Sequence, residues 1–198
     1  MINPAGNEQH AGRVIEGMFE KRLTSECGYY VKKAIESRCS DVRVILTRIP
    51  GETLEPLQNA SFSNRLNADL YISIHFFEKK QGKPSLYLYY FCLNKVTDSW
   101  NLTQQNLTFT PYSKAYLQQL PVTKKIATTM FELLQKNYHT NFETHPLMSI
   151  PFYPLIGIKA PAIGIEASLH KSNDWKLFAP ALIDSIEVAV KILKNKGV

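Results

Sequence analysis

The stretch Ala68-Asp69-Leu70-Tyr71-Ile72-Ser73-Ile74-His75 reads as a polar turn feeding a short apolar strand that ends on a histidine. Its β-branched and aromatic content and its brevity favour a buried strand over a helix. Just upstream, Val42 to Thr47 has the same character and predicts a second buried strand. Between the two lie a turn region, Gly51 to Pro56, and a predicted helix over Leu57 to Leu66 bearing Asn59, Asn64 and Arg65. Downstream, Gly82-Lys83-Pro84 is a turn, and Ser85 to Leu93 alternates Leu with Tyr as a further strand. Val96 to Pro111 is polar without a clear period, an excursion long enough to shield a site.

Further out, Leu117 to Tyr138 predicts a long helix, bent or begun afresh near Pro121. Ile150 to Lys159 is irregular, Pro161 to Glu166 is a strand, and Trp175 to Lys194 is the closing helix. At the other end, Asn3 to Gly12 reads as a loop after a short strand. Phe19, Leu23, Cys27, Tyr30, Val31, Ala34 and Ile35 then recur at helical spacing up to about Ser37. Strands separated by helices predict an α/β fold of three layers, with a largely parallel twisted sheet flanked by helices. The length of 198 residues suits one domain over 1–198. Met1-Ile2-Asn3-Pro4 looks like the end of a strand whose beginning, with any leader, has been cut away.

Apolar content of 44% and charged content of 20% are those of an ordered globular chain. No apolar run is long enough for a transmembrane segment. The net charge of +6 is scattered through Lys32-Lys33, Lys79-Lys80, Lys124-Lys125 and Lys191 to Lys196, which argues against a nucleic-acid partner. The cysteine count of 3 is odd and contains no CxxC pair, so neither a disulfide framework nor a thiolate zinc site is indicated.

In parallel sheets a ligand site lies outside the carboxyl ends of the strands, and Asn3, His75 and Glu166 fall at or next to such predicted ends. A histidine ending a buried strand is more often structural than a metal ligand. Here a second histidine, His10, and a carboxylate, Glu20, sit where the N-terminal loop enters the first helix. Two histidines and a carboxylate leave zinc an open position for water, and a further carboxylate such as Glu166 can shuttle its proton.

Arg43-Val44-Ile45-Leu46-Thr47-Arg48, then Leu57, Asn64 and Ala68 to His75, resembles zinc-dependent N-acetylmuramoyl-L-alanine amidases of the amidase-3 type. Pro161-Ala162-Ile163-Gly164-Ile165-Glu166, Ser172-Asn173 and Phe19-Glu20-Lys21 resemble further segments of that family, in order. The resemblance implies Glu20 and His75 as zinc ligands, Glu166 as catalytic base and acid, and Asn64 on the substrate side. The family opens on D-P-G-H-G-G, whereas here Asn3-Pro4-Ala5-Gly6 puts Gly6 in place of the first ligand histidine. His10 is the nearest substitute, with His139, His145 and His170 in reserve. The family's helix arginine falls on Asn59, and its glycine-phenylalanine after the catalytic glutamate is replaced by Ala167-Ser168-Leu169, marking a divergent member.

The implied activity is zinc-dependent cleavage of the amide between N-acetylmuramic acid and L-alanine in peptidoglycan, in the bacterial cell envelope. Two other readings compete. His75-Phe76-Phe77-Glu78 fits an H-x-x-E zinc motif, although strand alternation would point its ends to opposite faces. A metal-free amidase-like module that binds wall peptide or a protein partner is the alternative, supported by Gly6.

Overall fold

The computed structural model describes residues 1–48, 53–93 and 110–195. Its main sheet runs in the order β1 (Ile2–Pro4), β4 (Tyr71–Glu78), β8 (Ala162–Leu169), β5 (Ser85–Phe91) and β6 (Glu143–Thr144), with β7 (Met148–Ile150) also paired to β5. A small antiparallel pair, β2 (Val14–Ile15) and β3 (Met18–Phe19), stands apart. The helices are α1 (Glu20–Arg38), α2 (Pro56–Arg65), α3 (Leu120–Tyr138) and α4 (Trp175–Lys194). Within the main sheet the pairings are parallel except that of β5 with β8. This is the expected three-layer α/β architecture.

Alternation along the strands divides the sheet into two unlike faces. Ile72, Ile74 and Phe76 of β4, Ile163, Ile165 and Ala167 of β8, and Leu86 and Leu88 of β5 join one buried cluster with residues of α1, α3 and α4. Phe76 meets Phe178 of α4 edge-on at 5.7 Å, the kind of aromatic contact that adds to simple area burial. The other face carries Tyr71, Ser73, His75 and Phe77, then Ala162, Gly164 and Glu166, then Tyr87, Tyr89 and Phe91. One end of it is covered: Tyr71, Ala162 and Phe91 pack with Ala60 of α2 and with Leu155 and Ile158.

Three expectations need correction. Val42 to Thr47 is no full strand; it touches the sheet through a single parallel bridge, Ile2 to Leu46. Strand β1 is only 3 residues long, so its neighbour has little edge to pair with. His75 and Glu166 do not end their strands either, because β4 and β8 run on together to Glu78 and Leu169. The long helix does begin afresh, a 3-10 segment over Tyr112–Gln119 passing into α3 at Leu120 with Pro121 in its first turn. The excursion expected over Val96 to Pro111 lies, but for its last residues, outside the described residues.

Candidate active site

The register of β4 against β8 pairs His75 directly with Glu166, and that of β5 against β8 pairs Tyr87 with the same Glu166. Direct partners share a face, so the three side chains stand together on the open half of the sheet. Glu20 enters from the first turn of α1, an end where the helix dipole favours a carboxylate. Its Oε1 accepts from the Phe76 amide at 2.9 Å and lies 3.6 Å from His75 Nδ1; its Oε2 accepts from the Arg13 amide at 3.1 Å.

Burial sets the protonation states. The Glu20 side chain is only 6% exposed, and desolvation raises its pKa despite the two backbone donors. Desolvation also lowers the His75 pKa to about 4, against the opposing pull of Glu166, so the imidazole is neutral at pH 7. Neutral imidazole is the form that binds a metal. Glu166 is held by the Tyr89 hydroxyl, which donates to Oε2 at 2.8 Å, and by Arg13 Nη1, which donates to Oε1 at 2.5 Å. Burial, followed by that bond to the Glu166 carboxylate, pushes the Tyr89 pKa up.

Behind His75 runs a buried polar chain. Ser73 Oγ lies 2.8 Å from His75 Nε2 and accepts from Asn3 Nδ2 at 3.1 Å. Asn3 Oδ1 accepts in turn from Thr47 at 2.8 Å and from Asn59 at 3.2 Å. With Nε2 engaged, Nδ1 is the nitrogen presented to Glu20. Arg48 clamps the N-terminal loop, donating to the Gly6 carbonyl at 2.5 Å and to the Lys21 carbonyl at 3.0 Å. The valine-to-arginine motif that signalled the family thus braces the site from outside.

An aromatic wall flanks the carboxylate. Phe152 lies 5.1 Å from the His75 ring and 5.0 Å from Tyr89; Tyr87 is stacked on His145 at 4.2 Å. The structure therefore brings Glu20, His75 and Glu166 together, with His145 at the edge of the wall. His10 is exposed, its amide donating to Asn7 Oδ1 and its carbonyl accepting from the Asn7 amide in a closed turn. His139 bonds the Lys136 carbonyl and His170 the Lys79 carbonyl, both within their own local turns or crossings. Asn64 spends its side chain on the Gly157 carbonyl at 2.8 Å and the Lys159 amide at 3.0 Å, pinning that loop. Glu78, on the opposite face from His75, accepts from the Glu16 amide at 3.0 Å.

Glu20 and His75 suit two positions on a zinc ion: tetrahedral ligands at about 2.0–2.2 Å stand about 3.3–3.6 Å apart, and these donors are 3.6 Å apart. Among the described residues, no three His, Cys, Asp or Glu side chains, Glu166 included, are grouped so as to hold a metal ion. Gly6 offers no side chain, and its φ of +81° with Lys21 Cβ 2.7 Å from where a Cβ would sit shows a backbone shaped for glycine. Arg13 is the residue that no sequence motif pointed to. It lies between the polar loop and β2, where no local pattern marks a functional side chain. A cavity of about 930 Å³ opens at the far end of the sheet among residues such as Met1, Asp41 and Asp69, and includes none of these groups.

A family model described as N-acetylmuramoyl-L-alanine amidase matches residues 1–180. No curated protein matches the chain. Among solved structures, the N-acetylmuramoyl-L-alanine amidase AmiC2 of Nostoc punctiforme is similar with TM-score 0.65 at 18% identity, over 100% of this chain and 96% of that one. The N-acetylmuramoyl-L-alanine amidase of Clostridium difficile 630 gives TM-score 0.64 at 17% identity, over 96% and 95%. The CwlD amidase from Clostridioides difficile, solved in complex with the GerS lipoprotein, gives 0.63 at 17%, over 98% and 96%. At such identities the structures speak for the fold, while the match over residues 1–180 settles the relationship: the chain belongs to the amidase-3 family of N-acetylmuramoyl-L-alanine amidases.

Proposed function

We propose that this chain hydrolyses the amide between N-acetylmuramic acid and L-alanine in peptidoglycan, at the bacterial envelope. One observation carries the reading: the β4–β8 register sets His75 opposite Glu166 while Glu20 reaches His75 Nδ1 at 3.6 Å. A proton carrier and two metal-competent donors thus meet where the first turn of α1 reaches the sheet. Glu166 takes the proton of the attacking water and delivers it to the departing L-alanine nitrogen. Zinc, when bound, supplies polarisation of the carbonyl and a more acidic water. Glu20 and His75 are the residues that would hold it, with His10 joining them on opening of the Asn7–His10 turn. Asn64 serves the substrate side by bracing the loop next to Phe152.

A second reading, a metal-free module that binds wall peptide or a protein partner, is favoured by Gly6 and by the Arg13 cation already paired with Glu166. The related CwlD amidase, solved with a lipoprotein partner, lends the partner variant some weight. Incubation with peptidoglycan separates the two. The hydrolase reading expects stem peptides released with a free L-alanine amine, lost in Glu166→Gln, and bound zinc that disappears in His75→Ala. Binding to peptidoglycan without release and without zinc uptake would leave the module reading in its place.

A further inference from the structure

Arg13 is fixed from both ends. Its amide donates to Glu20 Oε2 at 3.1 Å, and the Glu20 amide donates to its carbonyl at 2.7 Å. Gly12, at φ +80°, permits that approach, because a Cβ there would stand 2.6 Å from Glu20 Oε2. At the tip, Nη1 donates to Glu166 Oε1 at 2.5 Å and to the Phe76 carbonyl at 3.4 Å. The guanidinium carbon lies 5.6 Å from the centre of the Phe77 ring, a cation–π distance. Arg13 therefore spans the two carboxylates of the site, backbone on one and side chain on the other. Burial is the largest influence and opposes its charge, but the hydrogen bond to Glu166 and the nearby charges of Glu166 and Glu20 together outweigh it and keep the guanidinium charged.

We propose that Arg13 is a substrate-binding residue whose guanidinium holds the carbonyl oxygen of the scissile amide and the negative charge that develops on it. The inference rests on the amide-hydrolase reading of this site. A guanidinium carries five N–H donors in one rigid plane. Among the described residues its side-chain hydrogen bonds leave from Nη1, and the side chain is 54% exposed, so Nε and Nη2 are donors available to a ligand that binds beside Glu166.

The chemistry balances with water as the only co-reactant. As the water oxygen bonds to the carbonyl carbon, Glu166 takes its proton and the carbonyl π pair moves onto oxygen, against Arg13. When that pair returns, the carbon–nitrogen bond breaks and Glu166 gives the proton to the alanine nitrogen. Nothing is oxidised or reduced. Arg13 acts here as an oxyanion donor, a group that matters more in the transition state than in the ground state.

Arg13→Met keeps the length and removes the donors, and Arg13→Lys keeps the charge without the fork. Both would be assayed on N-acetylmuramoyl-L-alanyl-D-isoglutamine. Their affinity for the analogue in which a phosphinate replaces the scissile amide would be measured in chelator. Loss of one such donor lowers kcat about 10²–10³-fold, so Arg13→Met is expected to lose that much with little change in KM, and to bind the phosphinate correspondingly more weakly. Arg13→Lys should recover part of both. Unchanged kcat and unchanged phosphinate affinity in Arg13→Met, with its melting curve intact, would overturn the proposal. Should Arg13→Met fail to fold, Arg13→Lys with wild-type kcat and phosphinate affinity overturns it equally. A wild type that binds the phosphinate through Arg13 but hydrolyses nothing would sink the hydrolase reading and leave the Arg13 contact standing.

Discussion

Lowering the pH should destabilise the metal-free protein through His75 in particular. The imidazole is held neutral by burial, its pKa down from 6.5 to about 4. Between those values the unfolded chain binds a proton that the folded one refuses, so stability is full above about pH 6.5. It falls as the pH drops towards 4. The whole shift of roughly 2.5 pKa units corresponds to about 3 kcal/mol at 1.36 kcal/mol per unit, of which about 2.5 kcal/mol is lost by pH 4.5. For a domain of this size that is roughly 5–10 °C in Tm. Glu20 works the other way: its raised pKa makes the folded state bind a proton more readily, which adds stability as the pH falls. The assay therefore compares Tm against pH in chelator for wild type, His75→Gln and Glu20→Gln. Wild type should drop more steeply than His75→Gln between pH 6.5 and 4.5, and Glu20→Gln more steeply still. Parallel curves for wild type and His75→Gln would refute the argument that burial holds this imidazole neutral.

Two other substitutions test the scaffold behind the site. Ser73→Ala should cost about 1–3 kcal/mol in urea unfolding, because it strands Asn3 Nδ2 and His75 Nε2 in a buried setting; a midpoint unchanged from wild type would mean that water replaces the hydroxyl without loss. Gly12→Ala should cost at least about 1–2 kcal/mol for the left-handed backbone alone, with Glu20 pushed off Phe76 by the new Cβ. Thermal melting together with the chemical shift of the Phe76 amide reads both effects, and a native shift with a native Tm contradicts them.

Much of this was legible in one dimension because it depends on local pattern. Ile72, Ile74 and Phe76 alternate with Ser73, His75 and Phe77, so the faces of β4 follow from period two whatever the rest of the chain does. Helices α1 and α4 announced themselves through apolar spacing within a residue or so of their ends. Glu20, His75 and Glu166 were legible as a set through the ordered motifs around them. The strand ends were not, since the added residues of β4 and β8 are held by pairing with each other rather than by propensity. The weak edge at Val42 to Thr47 escaped for the same reason, its partner being too short to make a ladder.

The opening motif of His75 thus determined by itself a buried strand, its two faces and the side on which the histidine stands, because each follows from covalent alternation and hydrophobic pattern. Only the tertiary structure decided what faces His75. The β8 register delivers Glu166, the start of α1 delivers Glu20, and the segment leading into β2 delivers Arg13. These are encounters between groups up to 153 residues apart in the chain, and no local periodicity records them. Conversely, His10 is near in sequence to Arg13 and Glu20, yet the Asn7 turn faces it to solvent. Proximity along the chain had suggested a ligand there, but backbone hydrogen bonding decided where the side chain went.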